Sequence, residues 1–514
     1  MSNEITAANR SVEDMLIKGI NLSKEVKRNI KYCETCKIDL WMSFFFDGTG
    51  NNFSNDFKPK SGIIKHSNVA ALYAAHYSDA KKGHYKFYYE GIGTPFSFGE
   101  YYKSNISPRG DVTEVKGWDD SQNSVTQAAN QAGGDGIKER LQKAIYQLIA
   151  TIEKTLSVRP VTTVNVSAFG FSRGATEARV FMNWIKSAPK ITIKNNKIYY
   201  RNNTEIKLKF LGIFDTVESI GIGRSGGNKN RNLYKVSIDK SIEHVVHLVA
   251  SLELRKTFPL TVTGDLAETV GAMQKQEIVV YPGAHSNVGG GYANNEQMRC
   301  RGLSIIALHK MLSACERNSL KILSYAEMQK HSLWNSVYKH MYLKETLYDS
   351  DLNGFMSQIK VKSNKVKDHM DAHQKLYQLW ISEGLYSAYI NSYLGILKSS
   401  KNAQDKSNYE LFSNIWEVLD TELPVNIRPS KVKTSINNYK INEKVKTYIE
   451  NYVCDSLGGF SKKIPLSAKI AGGVIGGMVM DKAGYVLLDG NRADYFTGRG
   501  LINSTNLTRG NSKV

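Results

Sequence analysis

The residues best placed to do chemistry together are Ser172, Asp215 and His285. A serine hydroxyl at its ordinary pKa is a poor nucleophile, so it needs an imidazole base, itself oriented by a carboxylate. Gly170-Phe-Ser172-Arg-Gly174 matches G-x-S-x-G. Its context gives the motif weight: the apolar, strand-like run Val164–Phe169 precedes it, and a helical run from about Ala175 to Ile185 follows. That is the strand–turn–helix setting of a nucleophile elbow. So sharp a turn brings backbone close on both sides, which calls for small residues at Gly170 and Gly174. The helix that follows then directs its N-terminus at the developing anion.

In α/β hydrolases the chain order is serine, acid, histidine. Asp215 closes the apolar strand Leu208–Phe214, and His285 follows the strand Glu277–Tyr281 in a glycine-rich stretch ending Val288-Gly-Gly-Gly-Tyr292. Asp265 and Glu268, in a polar loop, remain alternative acids. His244 and His247, three apart in Ile242–Leu248, read as a helical stretch of packing residues; with no third ligand in view, a metal site is not expected. The oxyanion hole is expected to combine the backbone N–H of Arg173 with one from Gly48 or Thr49, in Asp47-Gly-Thr-Gly50. A phosphate cradle is the rival use of that loop, but the Lys-Ser/Thr ending of a P-loop is missing. No cofactor is expected; calcium dependence is left open.

These residues need elements to hold them. Trp41–Phe46 and Tyr85–Tyr89 read as strands that end in polar turns. From Gly136 to Lys154, Ile137, Leu141, Ile145, Leu148 and Ile152 recur every three or four residues, the stripe of an amphipathic helix. Strands alternating with helices imply an α/β fold: a mainly parallel, α/β-hydrolase-like sheet with helices on both faces. In such sheets sites lie at the carboxyl ends of strands, where each polar cluster above falls. The expected organisation is an N-terminal segment (1–37), a catalytic domain (38–310), a mainly helical accessory module (311–465, including Gln374–Ile381) and a glycine-rich tail (466–514).

At 514 residues and 41% hydrophobic, the chain is long enough for a large core plus an appended module. Its formal charge of +20 suits polyanions. No base-reading helix or aromatic RNA-binding signature accompanies that charge, so an anionic membrane surface is expected rather than nucleic acid. Cys33 and Cys36 form a lone CxxC, read as incidental thiols. Met1 to Arg28 lacks the apolar core of a Sec signal. Ile470–Met480 is apolar but shorter than the roughly twenty residues of a spanning helix, so it is expected either to lie at an interface or to pack internally.

Five ordered blocks now carry a resemblance. Phe46–Asn52, Gly170–Ala175, Phe214–Val217, His247–Pro259 and Pro282–Gly291 together look like the α/β-hydrolase domain of the first family of bacterial type VI secretion lipase effectors. The resemblance covers roughly residues 40 to 300. It implies a phospholipase A with Ser172, Asp215 and His285 as its triad. It also implies export without a Sec signal, a VgrG-type spike protein or adaptor as carrier, the recipient's periplasm and membrane phospholipids as target, and a periplasmic immunity lipoprotein. The block ending at Pro259 resembles a His-containing helix that ends in an acidic and arginine cluster. Two departures stand out: Asn287 sits where the family often has Asp, and Cys454, before Asp455-Ser456, replaces a histidine. The second leaves His285 as the working base, with Asp455 and Ser456 structural. An acyl slot is expected from aromatic residues such as Phe96, Phe98 and Trp184. The competing functions are a soluble carboxylesterase or acyl hydrolase, and a non-catalytic hydrolase-like binding module.

Overall fold

The computed structural model describes residues 37–58, 63–94, 96, 105–106, 112–113, 136–218, 234–253, 255, 258–264, 266, 275–342, 345–382, 385–400, 441–456, 462–463, 479–480, 485–487 and 501–503. Cys33, Cys36, Phe98, Asp265, Glu268 and most of 470–480 lie outside them, so the expectations placed on those residues do too.

The sheet at the centre has β1 (Ile38–Phe46), β2 (His84–Tyr89), β5 (Val161–Phe171), β8 (Thr204–Phe214), β9 (Ile242–Ala250) and β11 (Lys275–Tyr281) in the order β11-β9-β8-β5-β1-β2, every neighbouring pair parallel. An antiparallel hairpin, β6 (Ile191–Lys194) and β7 (Lys197–Tyr200), joins the start of β8. Minor pairings are β3 (Asn105–Ile106) with β4 (Val112–Thr113), and β14 (Tyr485–Leu487) between β12 (Lys462–Lys463) and β13 (Val479–Met480). Near the end of the chain, β15 (Leu501–Asn503) returns to pair parallel with β10 (Leu260–Val262).

Alternation along the strands sends side chains to two cores. Phe45, Phe169, Phe210 and Phe214 enter one; Phe44, Phe46, Val166 and Leu211 enter the other. The first face is covered by α2 (Asn68–Ala75) and α6 (Gly302–Arg317). The second is covered by α3 (Ile137–Leu156) and α4 (Arg173–Trp184). The stripe read from the sequence, Ile137, Leu141, Ile145, Leu148 and Ile152, is the buried face of α3. Helices therefore pack on both faces of a mainly parallel sheet, as expected. Two short helices, α1 (Phe53–Phe57) and α5 (His285–Gly289), lie beyond the ends of β1 and β11.

The later helices are α7 (Tyr325–Lys330), α8 (Glu345–Met356), α9 (Val366–Ser382), α10 (Leu385–Ser399) and α11 (Glu443–Tyr452). Trp380, Tyr389 and Tyr448 join the same apolar cluster as Phe45 and Phe169, so the helical region continues the core on that face. Among the described residues, no helix is long and apolar enough to cross a membrane.

One element differs from its sequence reading. Ile242–Leu248 is not a helix: it forms most of β9, paired with β8 and β11. The β-branched Val245, Val246 and Val249 favour the pleated chain, and burial on both faces removes the alternation that marks a strand.

Candidate active site

β5 delivers the chain to Ser172, which lies at φ 59°, ψ −125° before α4 begins. For a residue with a Cβ this is a strained conformation, stabilised only by its surroundings. The Ser172 N–H donates to the Phe214 carbonyl at 3.1 Å, and the Ser172 carbonyl accepts from the Val217 N–H at 3.2 Å. The turn is thereby stitched to the end of β8. A Cβ at Gly170 would stand 2.2 Å from the Gly174 carbonyl oxygen, and one at Gly174 would stand 2.2 Å from that of Phe46. Such contacts lie far inside van der Waals range, so both positions of the motif are closed to larger residues.

Phe171 pairs with Phe214, so Ser172 and Asp215 leave adjacent strands at the same level. Asp215 is fully buried; its Oδ1 accepts the Ala250 N–H at 2.8 Å, and its Oδ2 meets His285 Nδ1 at 2.5 Å. His285 opens α5, four residues past β11. The carboxylate at Nδ1 assigns the proton to that nitrogen and leaves Nε2 as the basic atom. Nε2 is buried, with no hydrogen-bond partner among the described residues. The imidazole packs against Phe171, centroid to centroid at 4.5 Å, and against Phe258, steeply inclined with centroids 5.2 Å apart. Burial holds its pKa below the ordinary 6.5; the Asp215 contact opposes that shift, Arg255 adds to it and Glu253 opposes it.

The loop after β1 lies against the elbow. Burial pushes the Asp47 carboxyl up to about 7, although Tyr88 donates to its Oδ2 and the Gly48 N–H to its Oδ1 at 2.7 Å. Of the two loop amides expected at an oxyanion hole, the Gly48 N–H is held by the Asp47 side chain in this structure, whereas the Thr49 N–H makes no hydrogen bond among the described residues. Thr49 Oγ1 instead receives Arg173 Nε at 2.7 Å. The Arg173 N–H sits in the first turn of α4, where helix geometry provides no intrahelical acceptor.

The remaining sequence candidates also have definite places. Asn287 Oδ1 accepts the N–H groups of Ala284 at 3.2 Å and Cys454 at 3.0 Å. The Cys454 thiol is buried and its pKa is raised to about 12, mainly by desolvation, so it stays protonated. Buried His247 places Nε2 3.3 Å from Thr216 Oγ1, one residue beyond Asp215. Trp184 corrects the acyl-slot expectation. It ends α4, roughly 18 Å along the helix from Ser172 at 1.5 Å per residue, and stacks on Tyr234 in the core. Phe96 lies buried under the Arg140 guanidinium, 4.4 Å from its ring centroid.

Sequence reading met Glu253 and Arg255 only as the acidic and arginine cluster of the block ending at Pro259, gave them and Phe258 no role at the site, and took Ser456 as structural. Glu253 is buried and ion-paired with Arg255 at 2.8 Å, and it accepts the His285 N–H at 3.3 Å and the Ser456 hydroxyl at 2.9 Å. The available signal was a Glu and an Arg two apart at the end of an apolar strand.

No curated protein matches the chain. Among solved structures, that of an uncharacterized protein from Pseudomonas aeruginosa aligns at 20% identity and a TM-score of 0.48, covering 85% of this chain and 65% of that one. The chain thus spans less than two thirds of that protein's length. The structure of the Tle1 effector bound to the VgrG spike of the type 6 secretion system aligns at 14% identity and a TM-score of 0.37, covering 66% of this chain and 84% of that one. The family model for the type VI secretion system phospholipase effector, Tle1-like, catalytic domain, matches residues 42–201 and 186–314. That match takes in more than half of the sequence, and the chain belongs to the Tle1-like family of type VI secretion phospholipase effectors.

Proposed function

We propose that the chain is a phospholipase A-type serine hydrolase that cleaves acyl esters of membrane phospholipids and is delivered by type VI secretion as an antibacterial effector. The observation that carries the reading is the Asp215–His285 pair, with Nε2 unpartnered among the described residues, and a serine in a glycine-flanked strand-to-helix turn that leaves the neighbouring strand at the level of Asp215. In the first step His285 Nε2 takes the Ser172 proton as Oγ attacks the ester carbonyl carbon. The N–H of Arg173, with that of Thr49 or Gly48, would donate to the resulting oxyanion. Collapse breaks the bond to the lysophospholipid oxygen, which leaves as an alcohol with the proton from His285. Water, deprotonated by the same imidazole, then hydrolyses the acyl-enzyme and frees the fatty acid and Ser172. Asp215 stays ionised throughout and stabilises the imidazolium.

Family membership makes a VgrG-type spike protein or adaptor the expected carrier and favours a lipid ester over a small soluble one. The formal charge of +20 suits anionic phospholipids. No cofactor enters these steps. A periplasmic immunity lipoprotein would protect the producing cell.

The test compares wild type with Ser172→Ala on mixed-chain phosphatidylglycerol vesicles and on a water-soluble short ester. Loss of the nucleophile should lower kcat by a factor on the order of 10⁴ to 10⁶. A fluorophosphonate probe should label wild type alone. Equal labelling of both proteins would remove Ser172 from the role, and turnover of the short ester only would favour a soluble esterase.

A further inference from the structure

A second carboxylate lies beside His285. Glu253, in the loop after β9, is fully buried, and its two oxygens are crowded with donors. Oε1 accepts from the Arg255 N–H and Nε, both at 2.8 Å, and from Ser456 Oγ at 2.9 Å. Oε2 accepts from Arg255 Nη2 at 2.9 Å and from the His285 N–H at 3.3 Å. Such saturation is what a buried charge requires in order to persist.

The unit reaches the imidazole by a second route. The Arg255 guanidinium lies 3.6 Å from the Phe258 ring centroid, and that ring stands steeply across the His285 imidazole, their centroids 5.2 Å apart. Asp215 fixes only one ring atom, Nδ1; the ring plane depends on the aromatic walls, and the height of the residue depends on its backbone. Both are tied to the Glu253–Arg255 pair.

The third anchor comes from far along the chain. Ser456 follows α11, and the strand of backbone there is bound closely to the His285 region. Besides the Cys454–Asn287 bond, the Asp455 N–H donates to Gln297 Oε1 at 2.7 Å, Arg299 Nε donates to the Val453 carbonyl at 3.1 Å, and the Cys300 N–H donates to the Asn451 carbonyl at 2.7 Å. We infer that Glu253, neutralised by Arg255, is the positioning residue for the base His285, and that Ser456 latches it, so that the segment after α11 completes the catalytic apparatus. The inference rests on the triad reading above.

The full chain is tested as Phe258→Leu, Ser456→Ala, Glu253→Gln and Arg255→Gln, with kcat expressed per fluorophosphonate-titrated site and folding followed by thermal melting. Supporting residues of this kind are worth about 10- to 100-fold. Phe258→Leu is expected to lower kcat by about that factor, and Ser456→Ala by about 10-fold, with KM nearly unchanged. The charged groups acting on His285 are Asp215, Arg255 and Glu253. Loss of the Glu253 charge should move the acid limb of kcat/KM to lower pH, and loss of the Arg255 charge should move it higher. A purely structural pair would lower the melting point and leave kcat per titrated site in place.

The two variants at Phe258 and Ser456 carry no charge change, so they decide the matter if the charged-pair variants fail to fold. Wild-type kcat per site in both, with Ser172→Ala inactive, would overturn the positioning role and leave the triad reading intact. A wild type that cleaves no ester would overturn both.

Discussion

On the proposed mechanism His285 must be neutral at working pH to accept the Ser172 proton, and burial favours this by holding its pKa below 6.5. The sign follows from linkage. The folded state binds the imidazole proton less readily than the unfolded chain does. The resulting stabilisation is fully present above about 6.5 and is lost as pH falls through that value towards the folded-state pKa. The same depression fixes the kinetics: kcat/KM should already be on its plateau at pH 7, with its acid limb below 6.5. A pH–rate profile on a soluble ester measures this directly. A limb centred above 7 would mean that the imidazole is charged at rest and that the site is misassigned. Cys454 offers no substitute, because its buried thiol, raised to about 12, stays protonated across that range.

The strand-to-helix turn is the element on which the site depends, and Gly174 sets how closely it approaches β1. A Cβ there would fall 2.2 Å from the Phe46 oxygen and 2.4 Å from that of Asp47. Both neighbours are backbone, so neither can rotate away. Gly174→Ala is expected to destabilise the protein by about 2 kcal/mol or more, through overpacking, and to cut kcat about 100-fold by shifting the nucleophile. Urea unfolding and titrated kinetics would test both effects; a fully active, stable Gly174→Ala would show that the turn is not tight. Much of this element was legible in the sequence, because Ser172, Asp215 and His285 each follow an apolar run that ends abruptly. β9 was not, since His244-Val-Val-His247 fits either period, and only its pairing with β8 and β11 decides. The Glu253 arrangement was still less legible: its partner Ser456 lies 203 residues away in sequence, and no local pattern announces a contact of that range. Trp184 was misplaced for a simpler reason: aromatic character says nothing about which end of a helix a residue occupies.

At the scale of the whole molecule the question is where the proposed enzyme would act. One apolar cluster runs from the sheet into the helices beyond residue 325, and β15 pairs with β10. A chain with a formal charge of +20 that stays in the cell that makes it meets abundant competing polyanions, which can occupy a basic surface before it reaches the inner leaflet. In a recipient's periplasm those competitors are scarcer and phospholipid headgroups are directly accessible. Toxicity should therefore depend on compartment. Fusion of a periplasmic signal peptide before Met1 should make the protein far more harmful to a naive host than the unmodified chain, and the fused Ser172→Ala form should be harmless. Growth of the host carrying each of the three proteins, at matched expression, gives the comparison. Equal harm from both compartments would remove the periplasm as the site of action, and undiminished harm from the serine variant would separate toxicity from ester cleavage altogether.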